Sequence, residues 1–171
     1  MVEKSIKRIK KVLKGILGIQ NRNPRPSVIR RDVTTINVDS NFQLLVYWKV
    51  LPIGKGPAII LKVLNKEFMK FDCFGKDKGH YHISPKYNFR IFFIENTRKS
   101  QIKRSINELK TNTQNYLKHH PDQRFNQLVL STSAFYDSLD RAEQQLIAFV
   151  ETIVEFQEPS IKVQPNHPQA L

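Results

Sequence analysis

Two histidines, His80 and His82, stand one residue apart in the stretch Phe71-Asp72-Cys73-Phe74-Gly75-Lys76-Asp77-Lys78-Gly79-His80-Tyr81-His82-Ile83. Along a strand, residues i and i+2 share a face, so the two imidazoles lie side by side. Imidazole titrates near neutrality, which suits a pair to general acid–base work. Cleavage of RNA through its 2′-hydroxyl needs a base, an acid and a cation for the phosphate. His80 and His82 supply the first two, and Lys76 and Lys78 the third. Asp72 could orient an imidazole. Each residue also has a plainer role. The histidines could be a locally hydrogen-bonded structural pair, Asp72 a solvated carboxylate beside Lys76 or Lys78, and Cys73 a small buried apolar residue between two phenylalanines. Two imidazoles without a third ligand make a poor metal site, so neither metal nor cofactor is expected. Exposure decides between the roles: a catalytic pair must line a basic concavity.

A β-hairpin has to position these groups. With residues 75–78 as the connection, glycine supplies the positive φ and Asp and Lys the exposed tip. Cys73 then opposes His80 and Phe71 opposes His82, with Asp72 and Tyr81 on the other face. A slip of one residue reverses that assignment.

The surrounding charge favours a polyanionic partner. The chain has 171 residues and a net charge of +13. Residues 1–31 carry +9, residues 32–131 carry +8 and residues 132–171 carry −4. Such a basic front suits nucleic acid, RNA above DNA given the chemistry of the hairpin. The candidate phosphate contacts there are Lys4, Lys7, Arg8, Lys10, Lys11, Lys14, Arg22, Arg25, Arg30 and Arg31. Apolar residues make up 40% of the chain, enough for a folded core. No apolar run is long enough to span a membrane, and the basic start lacks the apolar segment of a secretory signal. One cysteine excludes an intrachain disulfide, and a cytoplasmic location is the simplest expectation.

Three parts are expected. Residues 1–31 form a basic arm: an amphipathic helix over 4–20, with Ile6, Ile9, Leu13, Ile16 and Leu17 on one stripe, then a proline-containing cationic linker over 21–31. Residues 32–158 form one α+β domain. Its strands are expected at 33–38, 42–50, 58–64, 67–74, 79–83 and 87–94, the first of them equally readable as an extended lead-in. Helices are expected at 98–118 and about 137–157, with a short apolar run at 125–130 between them. Residues 159–171 form a polar tail. The fold class is therefore an antiparallel sheet of four or five strands followed by two helices packed on one face, the other face left open. Tyr47 and Trp48 are adjacent in a strand, so one of them is expected to face outward.

At Val46-Tyr47-Trp48-Lys49-Val50, Phe71-Asp72, Gly75-Lys76 and Gly79-His80-Tyr81-His82, the chain resembles the TumE-type toxins of bacterial toxin–antitoxin modules. The resemblance covers about residues 41–95. The chain differs from that group in its longer basic N-terminal arm and longer helical C-terminal part. The resemblance implies a translation-inhibiting, RNA-directed activity and an antitoxin partner. The combined expectation is a small RNA-binding, toxin-like protein acting as a metal-independent endoribonuclease through His80, His82 and Asp72. Two competing expectations are a non-catalytic nucleic-acid-binding or assembly subunit that uses its arm, and a protein whose helix 4–20 docks in a partner's groove.

Overall fold

The structure, a computed structural model, describes residues 28–52 and 54–153. The expected arm helix, the C-terminal tail and the arm cations from Lys4 to Arg25 lie outside the described residues. Six strands form one sheet in chain order: β1 Ile29–Asn37, β2 Phe42–Leu51, β3 Gly54–Val63, β4 Lys66–Asp72, β5 His80–Ile83 and β6 Ile91–Phe92. Every neighbouring pair is antiparallel. Three helices follow: α1 Arg98–Lys118, the single turn α2 Gln123–Asn126, and α3 Thr132–Thr152.

The α+β class agrees with the sequence, but the strand inventory differs from it. There are six strands rather than four or five. β1 begins at Ile29, so Arg30 and Arg31 belong to the sheet and not to a linker. Only Ile91–Phe92 of the expected strand 87–94 pairs with β5. Tyr87 turns inward instead, and its carbonyl meets the Nδ1 of His82 at 2.7 Å. Helix α1 has the predicted bounds, because Thr97 caps it in a reciprocal capping box with Ser100. Helix α3 starts at Thr132, earlier than expected.

Short local signals set the turns. Leu64 and Asn65, at φ 50° and 62°, make the two-residue β3–β4 connection. Asp39 Oδ1 accepts the amides of Asn41 at 2.7 Å and Phe42 at 3.0 Å in the β1–β2 turn. The two long helices lie on one face of the sheet and build the core there with Leu44, Val46, Trp48, Ile59, Leu61, Phe71 and Cys73. Trp48 packs edge-on against Phe149 of α3 at 6.4 Å. Each such fully buried side chain contributes about 1.5–3 kcal/mol. Leu45, Tyr47, Ala58 and Ile60 form a second, smaller apolar cluster. Strand alternation puts them on the opposite face. Tyr47 and Trp48 are therefore both buried, at 0% and 1% exposure, and neither faces solvent as expected.

A bulge on β4 decides what that second face carries. Leu61 pairs with Met69 but Lys62 pairs with Glu67, leaving Phe68 as an extra residue. Phe68 and Met69 thus both enter the helix-side core. Beyond the bulge, alternation directs Lys70 and Asp72 to the helix-free face and Phe71 and Cys73 to the helices.

Candidate functional site

The register of the hairpin differs by one residue from the expected one. Asp72 pairs with His80, Phe71 with Tyr81 and Lys70 with His82. The strand ends at Asp72, and the connection is the longer stretch 73–79, not 75–78. Cys73 therefore opposes neither histidine. It lies buried on the helix side, its Sγ 3.5 Å from Ser105 Oγ. Helix α1 sets this longer connection. The Gln101 carboxamide accepts the Gly75 amide at 2.9 Å and donates to the Gly75 carbonyl at 2.9 Å and the Glu95 carbonyl at 2.7 Å. Glycine suits position 79, because a Cβ there would overlap that carboxamide and displace it from its hydrogen bonds.

The result is a row that crosses the sheet: Tyr47 opposite Ala58, Ala58 opposite Asp72, Asp72 opposite His80, and His80 opposite Phe92. On β3 the row and its neighbour hold only Ala58 and Gly56, which pair with Tyr47 and Lys49. Their small size lets the Lys49 side chain cross β3. Its Nζ donates to both oxygens of Asp72, at 2.8 and 2.7 Å. Lys49 and Asp72 are buried, so Asp72 is not the solvated carboxylate of the plainer reading.

The two imidazoles are fixed in the same way. His80 Nδ1 donates to the Lys78 carbonyl at 2.9 Å, and His82 Nδ1 to the Tyr87 carbonyl at 2.7 Å. A carbonyl only accepts, so Nδ1 carries the proton and Nε2 of each neutral ring holds a lone pair. His80 Nε2 lies 3.5 Å from Asp72 Oδ2, and the ring centroids are 5.0 Å apart. Burial holds both histidines below their ordinary pKa. The next influences differ. At His80 the Lys78 carbonyl and Asp72 push the pKa back up, whereas at His82 the nearby Lys70 and His80 push it further down.

The expected concavity is not open. His80 is 4% and His82 8% exposed. They lie on the face away from the helices, beneath residues of the 87–92 segment. The ring of Tyr87 stacks on His82 at 5.5 Å, and that of Phe92 sits 5.8 Å from His80. Lys70 Nζ lies 5.1 Å from the centre of the Tyr87 ring. The Tyr87 hydroxyl is latched to Glu67 at 2.8 Å. Glu67 also meets Arg30 at 3.2 Å. Burial opposes ionisation of Glu67, but the Tyr87 hydroxyl and the nearby cations outweigh it and hold the carboxyl below its usual range. Arg30 covers the ring of Tyr47 at 4.9 Å. The Tyr47 hydroxyl is buried with no hydrogen-bond partner among the described residues.

Of the other residues singled out in the sequence, Arg30 and Arg31 lie in β1, and Lys76 and Lys78 are exposed at the hairpin tip. The cations beside the imidazoles are instead Lys49 and Lys70, which sequence reading passed over. Their signal is a lysine interrupting an apolar strand, in Phe42–Leu51 and again in Lys66–Asp72.

The structure also supplies the third metal donor that the sequence lacked. One atom each from Asp72, His80 and His82 lies within 4.8 Å of the others. Two imidazoles with backbone-anchored Nδ1 and one carboxylate are a plausible donor set for a transition metal. Lys49 opposes that use, because it occupies both oxygens of Asp72, and Lys70 adds a second cation opposite His82. The net positive surroundings fit an anion better than a divalent cation. Among the described residues, no helix is long and apolar enough to cross a membrane. Compared with protein-family models, curated proteins and solved structures, the chain finds no match in any of the three.

Proposed function

We propose that this chain is a small RNA-binding protein of the TumE-like toxin type, in which Asp72, His80 and His82 carry out metal-independent RNA cleavage. One observation carries the reading. Both imidazoles are anchored through Nδ1, so that their Nε2 atoms are free beside Asp72, between Lys49 and Lys70. Two imidazoles 5.0 Å apart beside one carboxylate supply the group types of an acid and a base. His82, lowered further by Lys70, takes the proton of the 2′-hydroxyl at Nε2. The 2′-oxygen attacks phosphorus, and the bond to the departing 5′-oxygen breaks. His80 enters this step as the imidazolium, with Nε2 3.5 Å from Asp72 Oδ2, and gives its Nε2 proton to the departing 5′-oxygen. The products are a 2′,3′-cyclic phosphate and a free 5′-hydroxyl. Lys49 holds Asp72 in place, and Lys70 stabilises charge on the phosphate. The substrate enters when the cover carrying Tyr87 lifts away.

The test is cleavage of end-labelled RNA by the full chain, with and without EDTA. Cleavage that survives the chelator and is lost in His82→Asn and His80→Asn, each with an unchanged circular dichroism spectrum, supports the reading. Full activity in the doubly substituted chain refutes it. Loss of cleavage on chelation would assign the same three side chains to a metal.

The burial of the histidines favours a second reading, a non-catalytic RNA-binding or assembly subunit whose affinity resides in the basic arm. Removal of residues 1–27, which spares β1, separates the two. Under this reading the full chain binds RNA without turnover, and the truncation abolishes the binding.

A further inference from the structure

Four large apolar residues in a short stretch near β6 face solvent: Phe89 is 70%, Ile91 42%, Phe92 57% and Ile94 91% exposed. Two exposed phenyl rings three residues apart on one sheet edge, Phe92 over His80 and Phe89 beside Ile83, Ile91 and Tyr116, are unusual away from an interaction surface. Their surroundings are basic. Arg90 separates them in the chain and lies close enough to depress the pKa of His80. The amide of Phe93 donates to the Gly79 carbonyl at 3.1 Å, which ties this edge to the hairpin tip. The exposed Lys76 and Lys78 occupy that tip. Phe92 is also the ring that covers His80, at 5.8 Å.

The geometry points to a docking platform for single-stranded RNA at this edge, with Phe92 and Phe89 stacking on unpaired bases and Arg90, Lys76 and Lys78 holding phosphates. Phenyl rings have no hydrogen-bonding group, so they offer only a π-face, which every unpaired base can match and a duplex withholds. A second copy of this chain is a poor occupant, because each copy carries a net charge of +13. Exposed phenyl rings beside Arg90, Lys76 and Lys78 pair a stacking face with cations, which suits a nucleic acid better than an acidic protein. This inference rests on the RNA reading above and names its substrate as single-stranded.

The experiment measures binding apart from cleavage. The probe is a fluorescein-labelled 2′-O-methyl oligonucleotide, which lacks the attacking hydroxyl, used single-stranded and annealed to its complement. The full chain should prefer the single strand. Phe92→Ala should weaken binding roughly 5- to 150-fold, with Phe89→Ala in the same direction. Arg90→Ala should reduce the slope of log affinity against log salt by about 1. Phe92 also covers His80, so Phe92→Leu, which keeps an apolar cover but removes the π-face, is tested beside Phe92→Ala and should weaken binding in the same direction. Binding by the parent that is unchanged in the phenylalanine variants overturns the platform and leaves the RNA reading standing. Equal affinity for the duplex also overturns it. No binding of either probe, even at low salt, overturns both readings. Unchanged RNA affinity with altered self-association in the variants assigns the patch to protein contact and overturns the proposal.

Discussion

Replacing Lys49 with Met tests how the site is built. The ammonium donates to both oxygens of Asp72, and the two side chains are 6% and 1% exposed. Removal of one partner from such a pair leaves the other charge buried and uncompensated, at a cost of about 3–5 kcal/mol. For a chain of this length, each kcal/mol moves the melting temperature by about 2–4 °C. Lys49→Met should therefore lower the Tm by about 6–20 °C in a thermal scan followed by far-ultraviolet circular dichroism. Lys70 and the His80 imidazole, whose Nε2 is 3.5 Å away, would be left beside Asp72. Loss of the Lys49 charge, which lowers the His80 pKa, should raise that pKa in the variant. Burial still opposes protonation of His80, so the stability it costs below about pH 6.5 should become smaller in the variant than in the parent. The double variant Lys49→Met/Asp72→Leu should recover most of the loss, because an apolar pair of similar volume often replaces a buried ion pair at little cost. A Tm shift below about 2 °C in Lys49→Met, or a double variant as unstable as the single one, would refute the account of Asp72 as a buried charge held by Lys49.

Two further outcomes follow from the same geometry. In the parent, both imidazoles have folded-state pKa values below the unfolded value of about 6.5. Above that pH they are neutral in both states, whereas below it the unfolded chain takes up protons that the folded chain resists. Urea-derived stability should therefore fall as pH drops from 7 to 5, with a smaller fall in His82→Gln; identical profiles would contradict the assignment. Gly79→Ala should destabilise the chain by about 2–3 kcal/mol by displacing the Gln101 carboxamide from its three hydrogen bonds. An unchanged urea midpoint would show that Gln101 does not hold the hairpin.

Much of the architecture was legible locally. The β-branched and aromatic run in Phe42–Leu51 and the cap residue Thr97 mark β2 and α1 from their own residues, as does the i, i+2 spacing that puts His80 and His82 on one face. Composition alone marks the chain as basic, with a net charge of +13. Asp72 was named as the orienting carboxylate, but the register that brings it to the histidine face was not legible, because it depends on two single-residue choices made elsewhere. The bulge at Phe68 and the Gln101 clasp on the hairpin loop together turn Asp72 and Lys70 to the histidine face and Cys73 away from it. A strand has period two, so one residue gained or lost exchanges every side chain between faces. Likewise, no sequence pattern brings Lys49 across β3 to a residue 23 positions away; only the small residues Gly56 and Ala58, in register between the two, permit it. The sequence by itself determined which side chains could do acid–base chemistry and the basic charge of the chain as a whole. The tertiary structure decided which of them meet, and that Tyr87 and Phe92 cover them.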